Sequence, residues 1–515
     1  MTPNRRIFLN IVASYGRSLL SIACGLFTTR WVLMALGQTD MGLYGLVGGL
    51  TLFVSFFNIQ FAAAISRYFA HSIGEASVSD DKEKALEECR RWFNVSVFIH
   101  SILPLLLVAI GYPLGSYAIT HEWLVIPADR VESCVWVWRF SCISCLVGMM
   151  TVPFHGMFTA KQYIAEVTVY NVVQTIVKTA FIYFMVTHPG DWLIKYALGL
   201  MLIAVVPAIF ISCRAIRIFP ECRFRFAYMW DLLRFKQVLS YVSWQIVGCG
   251  GWALRSTGVS VLINKMLGPR ANAALTIGNT VSAETAILTG ALNGAFAPAI
   301  TTACGAGDFN RMRQLAFSSC KFGVCLTALF ALPLLLELDE VLRLWLKNPP
   351  EFAIELCISL LICAMLEKSI TGHVLAVNAI GKLAKFQTIH GVSLMLALPV
   401  VGVSFWILPN IWSIGTALIG TICFTVFVSL LAAKEVANMS IKIWLNNVMM
   451  PNSLLCIVSL AIGCLPRFFM EQSLLRVFAT TFFTLLAFLP MACFLVVSKS
   501  EREYLAKRLK AKFHW

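Results

Sequence analysis

The sequence predicts an all-α integral membrane protein of about 14 transmembrane helices. They form two pseudo-symmetric six-helix bundles around a central cavity, plus two C-terminal helices. Three observations carry this. Apolar stretches of spanning length fill the 515 residues almost end to end. Only 13 % of residues are charged, against roughly 25 % in soluble domains, and the mean hydropathy is +0.78. Motifs of the first half recur in the second at nearly constant separation.

Lipid cannot hydrogen-bond a bare backbone, so each span must satisfy its own N–H and C=O groups. Continuous rather than alternating apolar runs then select helices over a barrel. In the first half the spans fall at roughly 9–34, 43–65, 93–116, 135–157, 166–187 and 195–213. In the second they fall at roughly 238–263, 272–299, 318–338, 353–377, 387–408 and 413–433, followed by 447–465 and 475–497. The first run is too long for a signal peptide and has no small-residue cleavage site, so none is expected.

Lys and Arg set the orientation. About 26 of the 41 lie at one set of span ends, including 66–92, 214–237 and the C-terminal tail. About eight lie at the opposite set. An even span count with this bias places both termini in the cytoplasm, in a bacterial inner membrane. The expected organisation is an N-terminal six-helix lobe at 1–213, a basic interfacial linker at 214–237 and a C-terminal six-helix lobe at 238–433. Two extra helices at 434–497 and a basic amphipathic tail at 498–515 follow.

The repeat rests on two anchors. Leu36-Gly37 closes the first hairpin of the first half, and Leu267-Gly268 closes that of the second. Leu103-Pro104-Leu105 follows the first anchor at nearly the distance by which Leu332-Pro333-Leu334 follows the second. Lys82 and Lys84 match Arg311 and Arg313 in the same register. Parallel halves of this kind imply a pseudo-two-fold axis along the membrane normal.

The formal charge of +15 in a soluble chain points to nucleic acid. Here it reflects the inside-positive bias and contact with anionic lipid, so no nucleic-acid partner is expected. Basic and aromatic residues interleave in 214–237 (Arg223, Phe224, Arg225, Phe226, Tyr228, Trp230), the pattern of a headgroup-bound segment. In the tail, Leu505, Leu509 and Phe513 share one helical face. Cys142 and Cys145 form a C-x-x-C inside a span, where thiols pack as small hydrophobes; no metal and no structural disulfide are expected.

Ionisable residues inside spans are the informative ones, because a charge at the bilayer centre costs at least about 2.5–3.5 kcal/mol. They are Arg17 and Arg30 in the first span, Arg139 in the fourth, Lys178 in the fifth, Arg255 in the seventh, Glu284 in the eighth, and Glu367 with Lys368 in the tenth. Lys321 and Glu166 sit near span ends and are expected at headgroup level. Arg30 and Arg139 are near enough to the outer end to snorkel, and Arg255 and Glu284 lie on neighbouring spans, where mutual neutralisation is the alternative. Arg17 and Lys178 have no acid near them in sequence and best fit contact with an external anion. The interior is thus cationic and attracts anions; Arg suits phosphate through its planar fork. Asn58, Gln60, Asn171, Gln174, Asn279 and Asn293 are candidates for sugar hydroxyls, with helix–helix hydrogen bonding as the plainer use.

Arg30-Trp31-Val32-Leu33-Met34-Ala35-Leu36-Gly37, followed by Asp40-Met41-Gly42-Leu43-Tyr44-Gly45, resembles the first hairpin of bacterial polysaccharide-export flippases. These belong to the multidrug/oligosaccharidyl-lipid/polysaccharide exporter superfamily. Ile263-Asn264-Lys265-Met266-Leu267-Gly268, Ala297-Pro298-Ala299-Ile300 and Val341-Leu342-Arg343-Leu344-Trp345-Leu346 extend the likeness across the chain. The resemblance implies a two-lobed, alternating-access transporter, not an enzyme. It flips an undecaprenyl-pyrophosphate-linked oligosaccharide of O-antigen type for lipopolysaccharide or other surface polysaccharide biosynthesis. It also implies a cationic cavity at whose positions Arg17, Arg30 and Arg255 stand. The pyrophosphate set is therefore Arg17, Arg30, Lys178, Arg255 and Arg139, with Asn58, Gln60, Asn279 and Asn293 toward the sugar. No cofactor is expected; coupling to Na+ or H+ would fall to Glu284, the one deep carboxylate proposed for it. Expected partners are the lipid-linked oligosaccharide, anionic lipids and polysaccharide assembly proteins. A drug exporter of the same superfamily would need an acid-rich cavity. A glycan polymerase or ligase would need catalytic residues on a sizeable outer loop, and 117–134 offers little beyond His121, Glu122, Asp129, Arg130 and Glu132.

Overall fold

The computed structural model describes residues 3–51, 61, 65, 68–69, 72–73, 82–161, 163–497 and 502–503. Among these the chain is all-α, with no strand. Nine of the helices among the described residues are long and apolar enough to cross a membrane, as a multi-pass membrane protein requires. The chain folds as two compact units, Met1–Ala273 and Ala274–Trp515.

The first unit begins with α1 (Pro3–Gly49), whose helical run is broken at Gly37 by a backbone with φ 72° and ψ 175°. Next come α2 (Lys82–Thr120), α3 (Val131–Met150), α4 (Val152–Ala160), α5 (Ile164–Thr187) and α6 (Leu193–Ile218). The last is α7 (Leu232–Leu267). The predicted fourth span is therefore two helices, hinged where Thr151 precedes Pro153. Proline fits the first turn of the new helix because its missing N–H is unneeded there. Burial of Leu43, Leu46, Val47, Cys134, Val137, Trp138, Leu193 and Ala197 joins α1, α3 and α6. Phe69, Phe93, Phe154, Phe158 and Phe219 pack together elsewhere in the unit. Cys142 and Cys145 are buried free thiols.

Helix α7 belongs by sequence repeat to the second half but by packing to the first unit. Val238 and Val242 pack on Phe61, Val95 and Ile99. Thr257 Oγ1 donates to the Gly49 carbonyl at 3.3 Å. Asn264, fully buried, binds both sides of one residue: its Oδ1 accepts from Val125 N at 2.7 Å and its Nδ2 donates to Val125 O at 3.1 Å. Just beyond, α8 (Pro269–Gly305) starts so close to α1 that a Cβ on Gly42 would lie 1.8 Å from the Pro269 carbonyl oxygen. Only glycine fits there.

The segment expected as a headgroup-bound linker starts later than the pattern indicated, since residues 214–218 continue α6. One side of it is docked on α2. Asn94, also fully buried, donates to the Arg223 carbonyl (3.1 Å) and accepts from the Arg225 N–H (2.7 Å). Arg225 pairs with Glu87 at 3.2 Å, and Arg234 pairs with Glu88 and Asp231. The other side keeps Phe226 and Trp230 85 % and 77 % exposed, beside exposed Arg223.

The second unit comprises the rest of α8, then α9 (Phe309–Leu346), α10 (Ala353–Lys368), α11 (Thr371–Ile380), α12 (Leu383–Met395) and α13 (Ala397–Ile407). It ends with α14 (Ile411–Ala437), α15 (Met450–Gly463) and α16 (Leu474–Met491). The final pair packs on α9 through Ala328, Leu332, Leu455 and Phe488. A buried charge pair pins it further. Glu337, 2 % exposed, sits at a break in α9 (φ −120°, ψ 25°) and accepts from Arg476 Nε (3.1 Å) and Nη2 (2.7 Å). Thr480 Oγ1 donates to its other oxygen at 2.9 Å. Lys321 is buried on α9, its ammonium 4.5 Å from the Phe322 ring centre. Glu166 pairs with Arg214 at 2.8 Å.

Candidate functional site

Helix α5 supplies the most telling polar face. Asn171, Gln174, Thr175 and Lys178 recur at three- and four-residue spacing and so fall on one side of the helix. Val169, Val173 and Ile176 point outward, each more than half exposed, as lipid-facing residues do. The polar face looks into the first unit. There Lys178, Gln174 and Thr175 meet Tyr44 of α1 and Ser141 and Ser144 of α3 around a cavity of about 610 Å³. Gly45, Gly48 and Gly49 of α1 widen it by having no side chains, and Ala197 to Ala204 of α6 close the far wall. Among the described residues its lining holds one cation and no carboxylate. Lys178 is exposed, and among the described residues it forms no ion pair.

A second cavity, of about 360 Å³, shares Gln174 and Ala204 with the first. It is lined by His155, Tyr170, Asn171, Thr151 and Thr159 and, among the described residues, by none that is charged. Gln174 is held between the two because its Nε2 donates to the Ile203 carbonyl of α6 at 3.1 Å.

The other expected residues disperse. Arg30 is half-buried on α1 and pairs with no carboxylate among the described residues. Arg255 is buried on α7, outside the lining of either cavity. Arg139 faces away from both cavities: it is exposed, donates to the Tyr112 hydroxyl at 3.2 Å and stacks 4.7 Å from the Trp136 ring centre. The side chain of Arg17, and Asn58 and Gln60 entirely, lie outside the described residues. Asn279 is exposed on α8, and Asn293 accepts from Ser319 at 3.3 Å, which is the helix–helix use of such a side chain. Glu284 is half-buried on α8, with Oε2 lacking a hydrogen-bond partner among the described residues. Tyr44, Ser141, Ser144 and His155 escaped the sequence reading. The three- and four-residue spacing of Asn171 to Lys178 was the signal that an inward polar face existed. Nothing local says which hydroxyls meet it.

Residues 23–304 match the family described as polysaccharide biosynthesis protein. No curated protein sequence matches the chain. Among solved structures, an inward-facing multidrug resistance MATE family transporter of the MOP superfamily aligns with TM-score 0.61 at 12 % identity, over 82 % of this chain and 94 % of that one. The outward-facing form of such a transporter aligns with TM-score 0.60 at 12 % identity, over 84 % and 95 %. The lipid II flippase MurJ in an inward closed conformation aligns with TM-score 0.59 at 14 % identity, over 95 % of this chain and 98 % of that one. These likenesses show that the chain has the fold of those proteins.

Proposed function

Because the chain belongs to the family of polysaccharide biosynthesis proteins, we propose that it flips an undecaprenyl-pyrophosphate-linked oligosaccharide from the inner to the outer leaflet of the bacterial inner membrane. It does so by alternating access, for surface polysaccharide biosynthesis. The observation that carries this is Lys178, a cation lining a hydroxyl-rich cavity within the first unit that holds no carboxylate among the described residues. An unpaired ammonium at membrane depth is costly to keep. A diphosphate supplies the missing counter-charge, and Tyr44, Ser141 and Ser144 supply hydroxyl donors to its oxygens, the Thr175 hydroxyl being spent on the Asn171 carbonyl at 2.9 Å. Arg30 and Arg255 add positive potential in the same unit, as does Arg17 by its place in the sequence. No bond is made or broken in the protein's part of the process, so the role asks for binding and conformational change alone. The same cavity argues against an organic-cation exporter, whose cargo Lys178 would repel. Coupling to Na+ or H+ is assigned to Glu284.

The test is export of surface glycan in the native strain deleted for this gene and complemented with variants. Lys178→Gln should abolish export at normal protein level and leave lipid-linked glycan on the cytoplasmic side, and Lys178→Arg should restore part of it. Full export with Lys178→Gln would refute the assignment.

A further inference from the structure

The smaller cavity has a chemistry of its own. Thr151 and Thr159 spend their hydroxyl protons on the Gly148 and His155 carbonyls, and Gln174 spends an amide proton on Ile203. The Asn171 carboxamide and the His155 imidazole form no side-chain hydrogen bond among the described residues, though both line the cavity and both are half-buried. Unmet polar groups in a partly dry site are costly, so they take water or a ligand's hydroxyls. Tyr170 adds an aromatic wall, and the lining carries no charge among the described residues. A volume of about 360 Å³ sits at the lower end of the roughly 300–1,000 Å³ typical of small-molecule sites. Asn171 and Lys178 lie on the same face of α5, separated by about 10 Å along the helix axis.

We propose that the chamber lined by His155 and Asn171 binds the uncharged sugar next to the diphosphate, so that α5 grips the cargo at both its anionic and its carbohydrate part. This rests on the flippase reading above and adds to it a carbohydrate subsite. Neutral donors and acceptors beside an aromatic face match a sugar ring, and Arg214, the cation that touches Tyr170, is already paired with Glu166 at 2.8 Å. The subsite makes recognition depend on the first sugar, in addition to the lipid diphosphate that many glycans share.

The test uses the purified full chain in nanodiscs and two probes: undecaprenyl pyrophosphate, and the same lipid bearing one N-acetylhexosamine. His155→Phe and Asn171→Leu keep volume and remove hydrogen bonding. Each should weaken binding of the sugar-bearing lipid by about tenfold while leaving the bare lipid unchanged. Parental affinity of both variants for the sugar-bearing lipid, or an equal loss for both lipids, would overturn the subsite. Lys178→Gln separates the two ideas, since it should weaken both probes alike. If it weakens neither while Asn171→Leu still impairs the sugar-bearing one, the diphosphate reading fails and the sugar chamber stands.

Discussion

Gly37 and Gly268, 231 positions apart by their numbers, hold the same backbone conformation: φ 72° with ψ 175°, and φ 81° with ψ −177°. Each follows a leucine and sits between two long helices, α1 within itself and α7 with α8. This region of backbone space is essentially closed to residues with a Cβ. The shared conformation supports the duplication read from the Leu-Gly and Leu-Pro anchors. The two Leu-Pro prolines add to it, lying inside helices of 39 and 38 residues, α2 and α9.

Gly37→Ala and Gly268→Ala should each lower stability by about 1–3 kcal/mol through backbone strain. A Cβ at either position meets nothing within 4 Å, so crowding adds no cost. Gly42→Ala should be more damaging, since its Cβ would overlap the Pro269 carbonyl. Thermal unfolding of the detergent-solubilised variants gives the ranking, and a Gly42→Ala variant as stable as the parent would contradict it.

Asn264→Ala removes both hydrogen bonds to Val125 and should cost roughly 1–3 kcal/mol. Val125 is itself 46 % exposed, so water can replace the lost partner and the loop 121–127 should loosen without general unfolding. Faster cysteine labelling at an engineered Val125→Cys site in the Asn264→Ala background checks this; unchanged labelling counts against the clamp.

Breaking the Glu337–Arg476 pair by Arg476→Met alone leaves a buried carboxylate and should destabilise by about 3–5 kcal/mol. Replacing both partners with apolar residues should cost less, because no charge is then stranded. A double-mutant cycle on melting measures the coupling. Additive losses would mean that the pair does not hold α16 to α9.

Arg139 and Lys178 offer a contrast within one unit. Arg139→Gln should leave glycan export near normal, because that guanidinium already engages Tyr112 and Trp136 away from both cavities. Loss of export with normal protein level in Arg139→Gln would return that residue to the binding set.

Helix identity was legible in the sequence, because a lipid-immersed backbone must hydrogen-bond within its own segment. That requirement acts over a few residues, and so does the glycine need at Gly37 and Gly268. The inward face of α5 was equally readable from its spacing. What Lys178 faces across the cavity was not, since Tyr44, Ser141 and Ser144 come from other helices. Nor was the pairing of Arg476 with Glu337, which comes from another helix. Asn264 likewise gave no local sign that it would close on Val125, 139 residues away. Such partners are chosen by how helices pack side by side, and within one span every rotation about the helix axis satisfies the backbone equally well; only tertiary contacts select the one that brings these side chains together.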